Sequence, residues 1–297
     1  MRKLFFLLLF SSTIIQAQKT DEHLQKQIQE LIAGFHGEVG IFVRDLKSDR
    51  MVAINEDSLF PTASIVKIPI MIGVMSKINS KELDYHQVMV YNDSMYFNEG
   101  EDILASFKTN EKISLSKLLM LSISTSDNLA SVWLQGIAGG GMRINQLLDS
   151  FGCIYTRVNS RTQGREANRA VYGWGQTTPK EICFIMQKII NGEIFNRQTS
   201  DRMLRILGRQ YWDETALSQI PPNIYAADKT GALDECRNEV MYANAPHPYL
   251  FSIFTKNNKD QSWDYNNEAW ILTRKLSKLL WEYFNPKLKW NTDPLSK

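Results

Sequence analysis

Hydrophobic residues spaced three and four apart predict helices at both ends of the chain and through its middle. Near the start, this spacing predicts a helix over residues 22–35, and Gly37 marks a break after it. Near the end, a stripe of large apolar residues predicts an amphipathic helix from about 267 to 284. The helices predicted between them cover 64–77, 116–124, 127–137, 142–151, 179–191 and 198–208.

Segments with strand character lie on either side of the central helices. They cover 39–45, 51–55, 225–229, 240–243 and 249–255. Because strands come from both ends of the chain, we predict an α+β fold in which one sheet is assembled from the two ends. The first and last helices would cover one face of this sheet. The central helices would form a second lobe, with a cleft where the two lobes meet.

The first 17 residues have the pattern of a secretory leader. The basic residues Arg2 and Lys3 precede an apolar run from Leu4 to Ile15, and Ala17 offers a small residue at a cleavage point. The run is too short to span a bilayer, and the alternative is a buried N-terminal strand or helix. We therefore expect a secreted, periplasmic protein.

The rest of the chain has the composition of one globular domain, because 43% of the residues are hydrophobic and 22% are charged. We expect residues 18–297 to form a single domain, with a sheet lobe over about 20–60 and 220–290 and a helical lobe over about 61–219. The formal net charge of +2 falls to zero without residues 1–17, which makes nucleic acid a poor partner. No later stretch is apolar enough to cross a membrane, and we expect a monomer.

Cysteine and histidine do not indicate a redox or metal site. Cys153, Cys183 and Cys236 form no C-x-x-C pair, and their odd number favours buried free thiols, although an exported protein could form a disulfide. The four histidines show no metal-ligand spacing such as H-E-x-x-H. We therefore expect no metal ion.

A serine and a lysine three residues apart, Ser64 and Lys67, begin an apolar predicted helix and so share one face of it. At this position the backbone N–H of Ser64 can act as an oxyanion donor for the group that its side chain attacks. Lys67 has apolar neighbours, and burial favours the neutral amine that could take the proton of Ser64. The spacing alone is equally consistent with a purely structural role for Ser64 and Lys67. A second S-x-x-K, from Ser114 to Lys117, is more simply a helix cap.

The segment Ser126-Asp127-Asn128 stands directly before another apolar helical run. Ser, Asp and Asn are all good N-caps, so a purely structural cap is one interpretation. In the functional interpretation, Ser126 carries a proton to a leaving nitrogen and Asn128 hydrogen-bonds a substrate amide.

A third motif, Lys229-Thr230-Gly231-Ala232, lies on a predicted late strand. An edge strand that ends in a glycine turn would explain it structurally. In the functional interpretation, Lys229 and Thr230 bind a substrate carboxylate, and Gly231 lets the substrate approach closely. The backbone N–H of Ala232 would then be the second oxyanion donor.

The three motifs occur in the order S-x-x-K, S-D-N and K-T-G, a combination found in class A β-lactamases and penicillin-binding proteins. From about Glu22 to Phe284 the chain resembles the class A β-lactamase family. Further segments that carry the resemblance are Phe60-Pro61-Thr62-Ala63, Gly139-Gly140, Thr177-Thr178-Pro179 and Asn238-Glu239-Val240. The resemblance implies a helical lobe beside a five-stranded antiparallel sheet covered by helices in three α/β/α layers. It also implies acyl-enzyme chemistry on Ser64 without a cofactor.

One loop departs from the family pattern. Class A enzymes carry a Glu-x-x-x-Asn loop that holds the deacylating water, whereas here Asn168 follows Glu166 by only two positions. Aligned without gaps from Pro179, the family's glutamate falls on Thr162. Either the loop is remodelled and Glu166 still activates the water, or Glu166 is a solvated loop residue and the base is absent. The role of Arg237, which follows K-T-G, also has two interpretations: it either contacts the substrate carboxylate or is a surface arginine.

The resemblance thus implies a serine hydrolase that opens β-lactam amides, with Ser64 as nucleophile, Lys67 as general base and Ser126 as proton shuttle. Two alternatives share the same motifs. One is a D,D-peptidase or esterase that acts on cell-wall peptides, and the other is a protein that β-lactams acylate without turnover. The expected partner is accordingly a small-molecule β-lactam or a cell-wall peptide.

Overall fold

The computed structural model describes residues 19–92 and 102–290, so the predicted leader lies outside the described residues. The strands are β1 (Glu38–Asp45), β2 (Met51–Ile54), β3 (Phe60–Pro61), β4 (Val88–Val90), β5 (Lys112–Ser114), β6 (Arg157–Val158), β7 (Gly175–Thr177), β8 (Ala226–Leu233), β9 (Cys236–Ala243) and β10 (Tyr249–Lys256). The helices are α1 (Glu22–Ile32), α2 (Lys67–Asn79), α3 (Leu115–Ser124), α4 (Asn128–Ile137), α5 (Gly140–Ser150), α6 (Glu166–Tyr172), α7 (Pro179–Asn191), α8 (Arg197–Leu207) and α9 (Glu268–Phe284). Short 3₁₀ turns cover Ala63–Val66, Ile103–Ser106 and Leu217–Gln219.

Five strands form an antiparallel sheet in the order β2-β1-β10-β9-β8. Ile41 of β1 lies opposite Ile253 of β10, and Thr230 of β8 lies opposite Glu239 of β9. Two of the strands come from the beginning of the chain and three from its end, so the sheet is assembled from both ends as predicted. The edge strand β8 runs beside the 3₁₀ turn that precedes α2.

Alternating side chains bury the two faces of the sheet in separate cores. Phe251 and Ile253 of β10 pack on one face with Leu276 of α9 and with α1. Leu250 and Phe254 point to the other face, into the core that the central helices share. The predicted arrangement of first and last helices on one face and a helical lobe beside the other is therefore confirmed.

The two S-x-x-K segments fold differently. Ser114 caps α3 as predicted, because its hydroxyl accepts a hydrogen bond from the backbone N–H of Lys117 at 3.4 Å. Ser64 instead lies in a 3₁₀ turn, and α2 begins only at Lys67. Two segments with the same spacing thus have different local structures.

Strands β8 and β9 extend well beyond their predicted limits. β8 continues to Leu233 and β9 begins at Cys236, and every residue of β9 is buried. Arg237 and Glu239 are polar although they are buried, so they interrupt the apolar pattern from which the strand is predicted. Helix α6 is not predicted at all, since it buries no residue and therefore carries no apolar stripe.

Cys153, Cys183 and Cys236 are free and buried, in agreement with the expectation of buried thiols. Within residues 19–92 and 102–290, no helix is long and apolar enough to cross a bilayer. In the same part of the chain, His, Cys, Asp and Glu side chains form no group that could hold a metal ion.

Candidate active site

Ser64 and Lys67 stand next to one another where the 3₁₀ turn passes into α2. Ala63, just before Ser64, has a φ of 46°, a left-handed conformation that costs a non-glycine residue about 1–3 kcal/mol. Lys67 is fully buried, and its side-chain nitrogen Nζ lies 3.0 Å from Ser64 Oγ. The turn therefore holds a half-buried hydroxyl directly against a buried amine.

Lys67 Nζ also contacts the S-D-N segment. It lies 3.0 Å from Ser126 Oγ and 2.8 Å from Asn128 Oδ1, and it contacts the Ser126 carbonyl oxygen as well. Among the described residues, every hydrogen-bond partner of Nζ is thus a neutral oxygen. One amine connects two hydroxyl groups that belong to different motifs.

The Lys67 amine loses its proton more readily than a lysine in water. Burial is the main cause of its lowered pKa, and the positive charge of Lys229 lowers the pKa further. The carboxylates of Asp102 and Asp127 raise it, but their effects are smaller. The surroundings therefore shift Lys67 toward the neutral form that can accept a proton.

The middle residue of the S-D-N segment caps a helix while its neighbours face Lys67. Asp127 Oδ1 accepts a hydrogen bond from the backbone N–H of Ala130 at 2.7 Å at the start of α4. Ser126 has a φ of 61°, so its backbone is also in the left-handed region. The cap thus fixes the turn that directs Ser126 and Asn128 at Lys67.

Asp102 holds the same turn from a different part of the chain, and the sequence gives no sign of this role. Its carboxylate accepts hydrogen bonds from the backbone N–H groups of Asn128 at 2.8 Å and Leu129 at 3.0 Å. Bonds of this kind between a carboxylate and a helix N-terminus are strong. No motif includes Asp102, which lies 26 residues before Asn128, so only the fold could reveal the contact.

The second buried lysine, Lys229 on β8, reaches the same serine from the sheet. Its Nζ lies 3.2 Å from Ser126 Oγ and 2.9 Å from the carbonyl oxygen of Thr230. Burial lowers the pKa of Lys229 to about 8, while the charges of Asp228 and Glu239 oppose this change. Two amines therefore share one hydroxyl, and nearby carboxyl groups help Lys229 to keep its proton.

Asp228 and Glu239 form a buried carboxyl pair between β8 and β9. Burial raises the pKa of Glu239 to about 7, and burial with the nearby charge of Glu239 raises the pKa of Asp228 well above its usual value. Both oxygens of Glu239 accept the backbone N–H of Ala216, at 3.1 and 3.2 Å. The pair thus lies next to Lys229 and also holds the segment before the Leu217–Gln219 turn.

Gly231 lets β8 run directly against the nucleophile turn. A Cβ at this position would lie 2.5 Å from the Thr62 carbonyl oxygen and 3.1 Å from the backbone nitrogen of Ser64. A larger residue would push the strand away from Ser64. Glycine at this position therefore keeps β8 in contact with the turn that carries Ser64.

A model of the beta-lactamase enzyme family matches residues 23–284 of this chain. The chain belongs to this family. It is 21% identical to the β-lactamase VEB-1 of Pseudomonas aeruginosa over 295 residues, which cover 95% of the chain and 97% of the relative. It is 26% identical to a β-lactamase of Bacteroides uniformis over 229 residues, which cover 75% of the chain and 76% of the relative. The predicted resemblance is confirmed, and the protein is a serine β-lactamase-like hydrolase.

Solved structures show the same fold for this β-lactamase family member. A variant of PBP-A, in an acyl-enzyme complex with penicillin G, superposes with a TM-score of 0.79 at 23% identity, covering 91% of this chain and 99% of that one. A β-lactamase from Chitinophaga pinensis also gives 0.79, at 18% identity and with coverage of 89% and 100%. The β-lactamase/transpeptidase fold expected from the motifs is therefore confirmed.

In this β-lactamase family member, the described contacts of Glu166 lie within its own loop. Its side chain is exposed at the start of α6, and its Oε1 accepts the backbone N–H of Gly164 at 3.1 Å. Thr162, where the ungapped alignment puts the family's glutamate, is buried, and its hydroxyl donates to the Ser160 carbonyl oxygen at 2.9 Å. Neither side chain has a described hydrogen bond to Ser64 or Lys67.

Arg237 of this β-lactamase family member is buried on the α9 side of the sheet. Its guanidinium lies over two indole rings that meet edge to face, 4.4 Å from the centroid of Trp263 and 4.8 Å from that of Trp270. It donates to the carbonyl oxygens of Cys236 at 2.9 Å and Ser262 at 2.8 Å. The structure therefore brings Ser64, Lys67, Ser126, Asn128 and Lys229 into one hydrogen-bonded network, but Arg237 makes its contacts elsewhere.

Proposed function

We propose that the protein opens the amide of β-lactams by forming an acyl-enzyme on Ser64. The observation that carries this proposal is the position of Lys67 Nζ, 3.0 Å from both Ser64 Oγ and Ser126 Oγ. An amine between two hydroxyl groups can pass a proton from the attacking oxygen to a group beside the leaving nitrogen. A β-lactam as substrate also fits the family to which the chain belongs.

In the acylation step, Ser64 Oγ attacks the lactam carbonyl carbon while its proton passes to the neutral amine of Lys67. As the carbon–nitrogen bond breaks, Ser126 donates its hydroxyl proton to the leaving nitrogen and regains a proton from Lys67. The products are an ester on Ser64 and a protonated leaving nitrogen. Lys67 returns to its neutral form, so the protons balance.

The remaining polar groups bind the substrate in this proposal. Lys229 and Thr230 hold a substrate carboxylate, and the backbone N–H groups of Ser64 and Ala232 stabilise the developing oxyanion. Asn128 accepts from Lys67 through Oδ1, which leaves its NH₂ group to donate to a substrate amide oxygen. Arg237 is not included, because its guanidinium lies over two indole rings and donates to backbone carbonyl oxygens.

We propose that hydrolysis of the acyl-enzyme is slow. Attack of water on an ester needs a base that is positioned on the water. The carboxylate of Glu166 is exposed and accepts the N–H of Gly164. The described hydrogen-bond partners of Lys67 are all neutral oxygens, so none of them is a carboxylate that could act as this base. These contacts favour rapid acylation of Ser64 followed by slow release.

Replacement of Glu166 by glutamine tests the assignment of the base. Because Glu166 makes its contacts within its own loop, we expect Glu166→Gln to change neither the acylation rate nor the steady-state turnover of nitrocefin by more than about twofold. Both rates come from one stopped-flow absorbance trace. The matched control is Glu30→Gln on α1, another exposed glutamate. An acyl-enzyme that accumulates only in Glu166→Gln would identify Glu166 as the deacylation base after all.

The charge of Lys229 predicts an alkaline limit for acylation. With a pKa of about 8, Lys229 loses its proton as the pH rises through this value and no longer attracts the substrate carboxylate. We expect the second-order acylation constant to fall by about tenfold per pH unit above that point. In Lys229→Arg the fall should move to higher pH, because a guanidinium stays charged. A wild-type profile that stays flat, or a limit unchanged in Lys229→Arg, would contradict this role for Lys229.

A D,D-peptidase is the second candidate, because the contacts of Ser64, Lys67 and Ser126 support it as well as they support a β-lactamase. The same acylation groups would attack a D-Ala-D-Ala peptide, whose leaving amine carries the carboxylate that Lys229 would bind. The test compares turnover of a D-Ala-D-Ala peptide with that of a β-lactam on the same preparation. Faster turnover of the peptide would assign the protein to cell-wall chemistry.

We also propose that the mature protein is exported and monomeric. The predicted leader supports export. Cell fractionation and light scattering of the purified protein would test these two points.

A further inference from the structure

Two large aromatic residues, Tyr211 and Trp212, stand exposed in the segment between α8 and the Leu217–Gln219 turn. Their exposed fractions are 66% and 46%. The rings meet edge to face, with centroids 5.1 Å apart and an interplanar angle of 87°. Adjacent exposed aromatic rings leave much apolar surface in water, which is unfavourable unless another group covers it.

This aromatic pair (Tyr211 and Trp212) is attached to the chain directly before the proton shuttle Ser126. The backbone N–H of Tyr211 donates to the Ser124 carbonyl oxygen at 2.9 Å. The indole nitrogen of Trp212 donates to the Thr125 carbonyl oxygen at 3.0 Å. The indole is therefore fixed to the residue that immediately precedes Ser126.

The other end of the same segment is anchored to the sheet and to α9. Ala216 donates its backbone N–H to the buried carboxylate of Glu239, and its carbonyl oxygen accepts from the Ser277 hydroxyl at 2.7 Å. A segment tied at both ends loses little further freedom when a ligand binds to it. The aromatic pair is thus presented in one orientation.

The proposed chemistry indicates which part of a substrate would meet these rings. Ser126 delivers its proton to the leaving nitrogen, so groups bonded on that side of the substrate project past Ser126. Lys229, which would hold the carboxylate on the same side, also contacts Ser126 Oγ. The indole is fixed to the Thr125 carbonyl oxygen, one residue from the serine that both lysines contact.

We propose that Trp212, supported by Tyr211, is a specificity-determining residue that stacks on an apolar, planar substituent on the leaving-nitrogen side of the substrate. This inference rests on the proposed acylation of Ser64 by β-lactams. It identifies bicyclic lactams with an extended conjugated substituent as the favoured substrates. Besides its carboxylate, a D-alanine leaving group carries only a methyl group and would gain little from the indole.

The test uses two cephalosporins with the same thienylacetyl side chain. Nitrocefin carries a planar dinitrostyryl group on the ring next to the carboxylate, and cephalothin carries a small acetoxymethyl group there. The second-order acylation constant is measured for both with the full chain, with Trp212→Ala and with Trp212→Phe. The control is Phe184→Ala, which removes an exposed aromatic ring from α7. Thermal melting confirms that each variant is folded.

We expect Trp212→Ala to lower the constant for nitrocefin about tenfold more than that for cephalothin, and Trp212→Phe to retain most of the difference. Equal losses for both compounds would overturn the inference, because the indole would then only position the Ser126 loop. Unchanged constants for both would overturn it as well. If neither compound acylates the wild-type protein, the proposed function itself fails and the inference falls with it.

Discussion

Ser64→Ala is expected to lose covalent capture of penicillin G completely and to lower β-lactam hydrolysis by about 10⁴-fold or more. The reason is that the variant keeps the binding groups but has no oxygen to attack the carbonyl carbon. Alanine fits the half-buried position of Ser64, so the fold should be unaffected. Intact-protein mass spectrometry measures the result. The wild type should gain the mass of one intact penicillin, and the variant should gain none.

The chain supplies a matched control for this experiment in its second S-x-x-K segment. Ser114 has the same spacing to a lysine, but its hydroxyl caps α3. Ser114→Ala should therefore cost about 1 kcal/mol of unfolding free energy and leave the adduct unchanged. An adduct that persists in Ser64→Ala would place the nucleophile elsewhere.

The second large effect is expected for Lys67→Arg, which should slow acylation by about 10³-fold. The pKa of Lys67 is lowered chiefly by burial, so the wild-type amine can take the proton of Ser64. An arginine at this position keeps its proton at every working pH and cannot act as the base. Stopped-flow measurement of nitrocefin acylation gives the rate, and circular dichroism checks the fold.

The pH dependence of the wild type follows from the same lowered pKa. As the pH falls through the pKa of Lys67, the amine gains a proton and acylation slows, so this group gives the acidic limit and Lys229 the alkaline one. Lys117→Arg, in the second S-x-x-K segment, is the control and should leave both limits in place. Acylation at the wild-type rate in Lys67→Arg would show that another group removes the proton.

The sequence predicts the residues of the central network well, because local spacing determines much of their geometry. Ser64 and Lys67 are three residues apart where the 3₁₀ turn passes into α2, and Asp127 caps the helix that follows Ser126. The order of the three motifs then identifies the family. The meeting of Lys229 with Ser126 across 103 residues cannot be read from spacing, and the resemblance to the family supplies it.

Other features of the site cannot be predicted from sequence patterns, and the reasons are physical. Asp102 acts through backbone N–H groups, which any sequence provides, so no residue type marks its partners. Arg237 follows the K-T-G motif closely, but its position on β9 turns it to the face where Trp263 and Trp270 enclose it. Glu166 lies in a short helix without an apolar stripe, so its helix could not be predicted, and the sequence left its exposure open between two interpretations.

The central claim is that Ser64 is acylated rapidly and released slowly. The measurement that tests it most directly is the stopped-flow time course of nitrocefin opening by residues 18–297 with substrate in excess. The account predicts a fast burst equal in amplitude to the enzyme concentration, followed by a slow linear phase. A linear course with rapid turnover and no burst would contradict slow release, and no reaction at all would contradict acylation of Ser64.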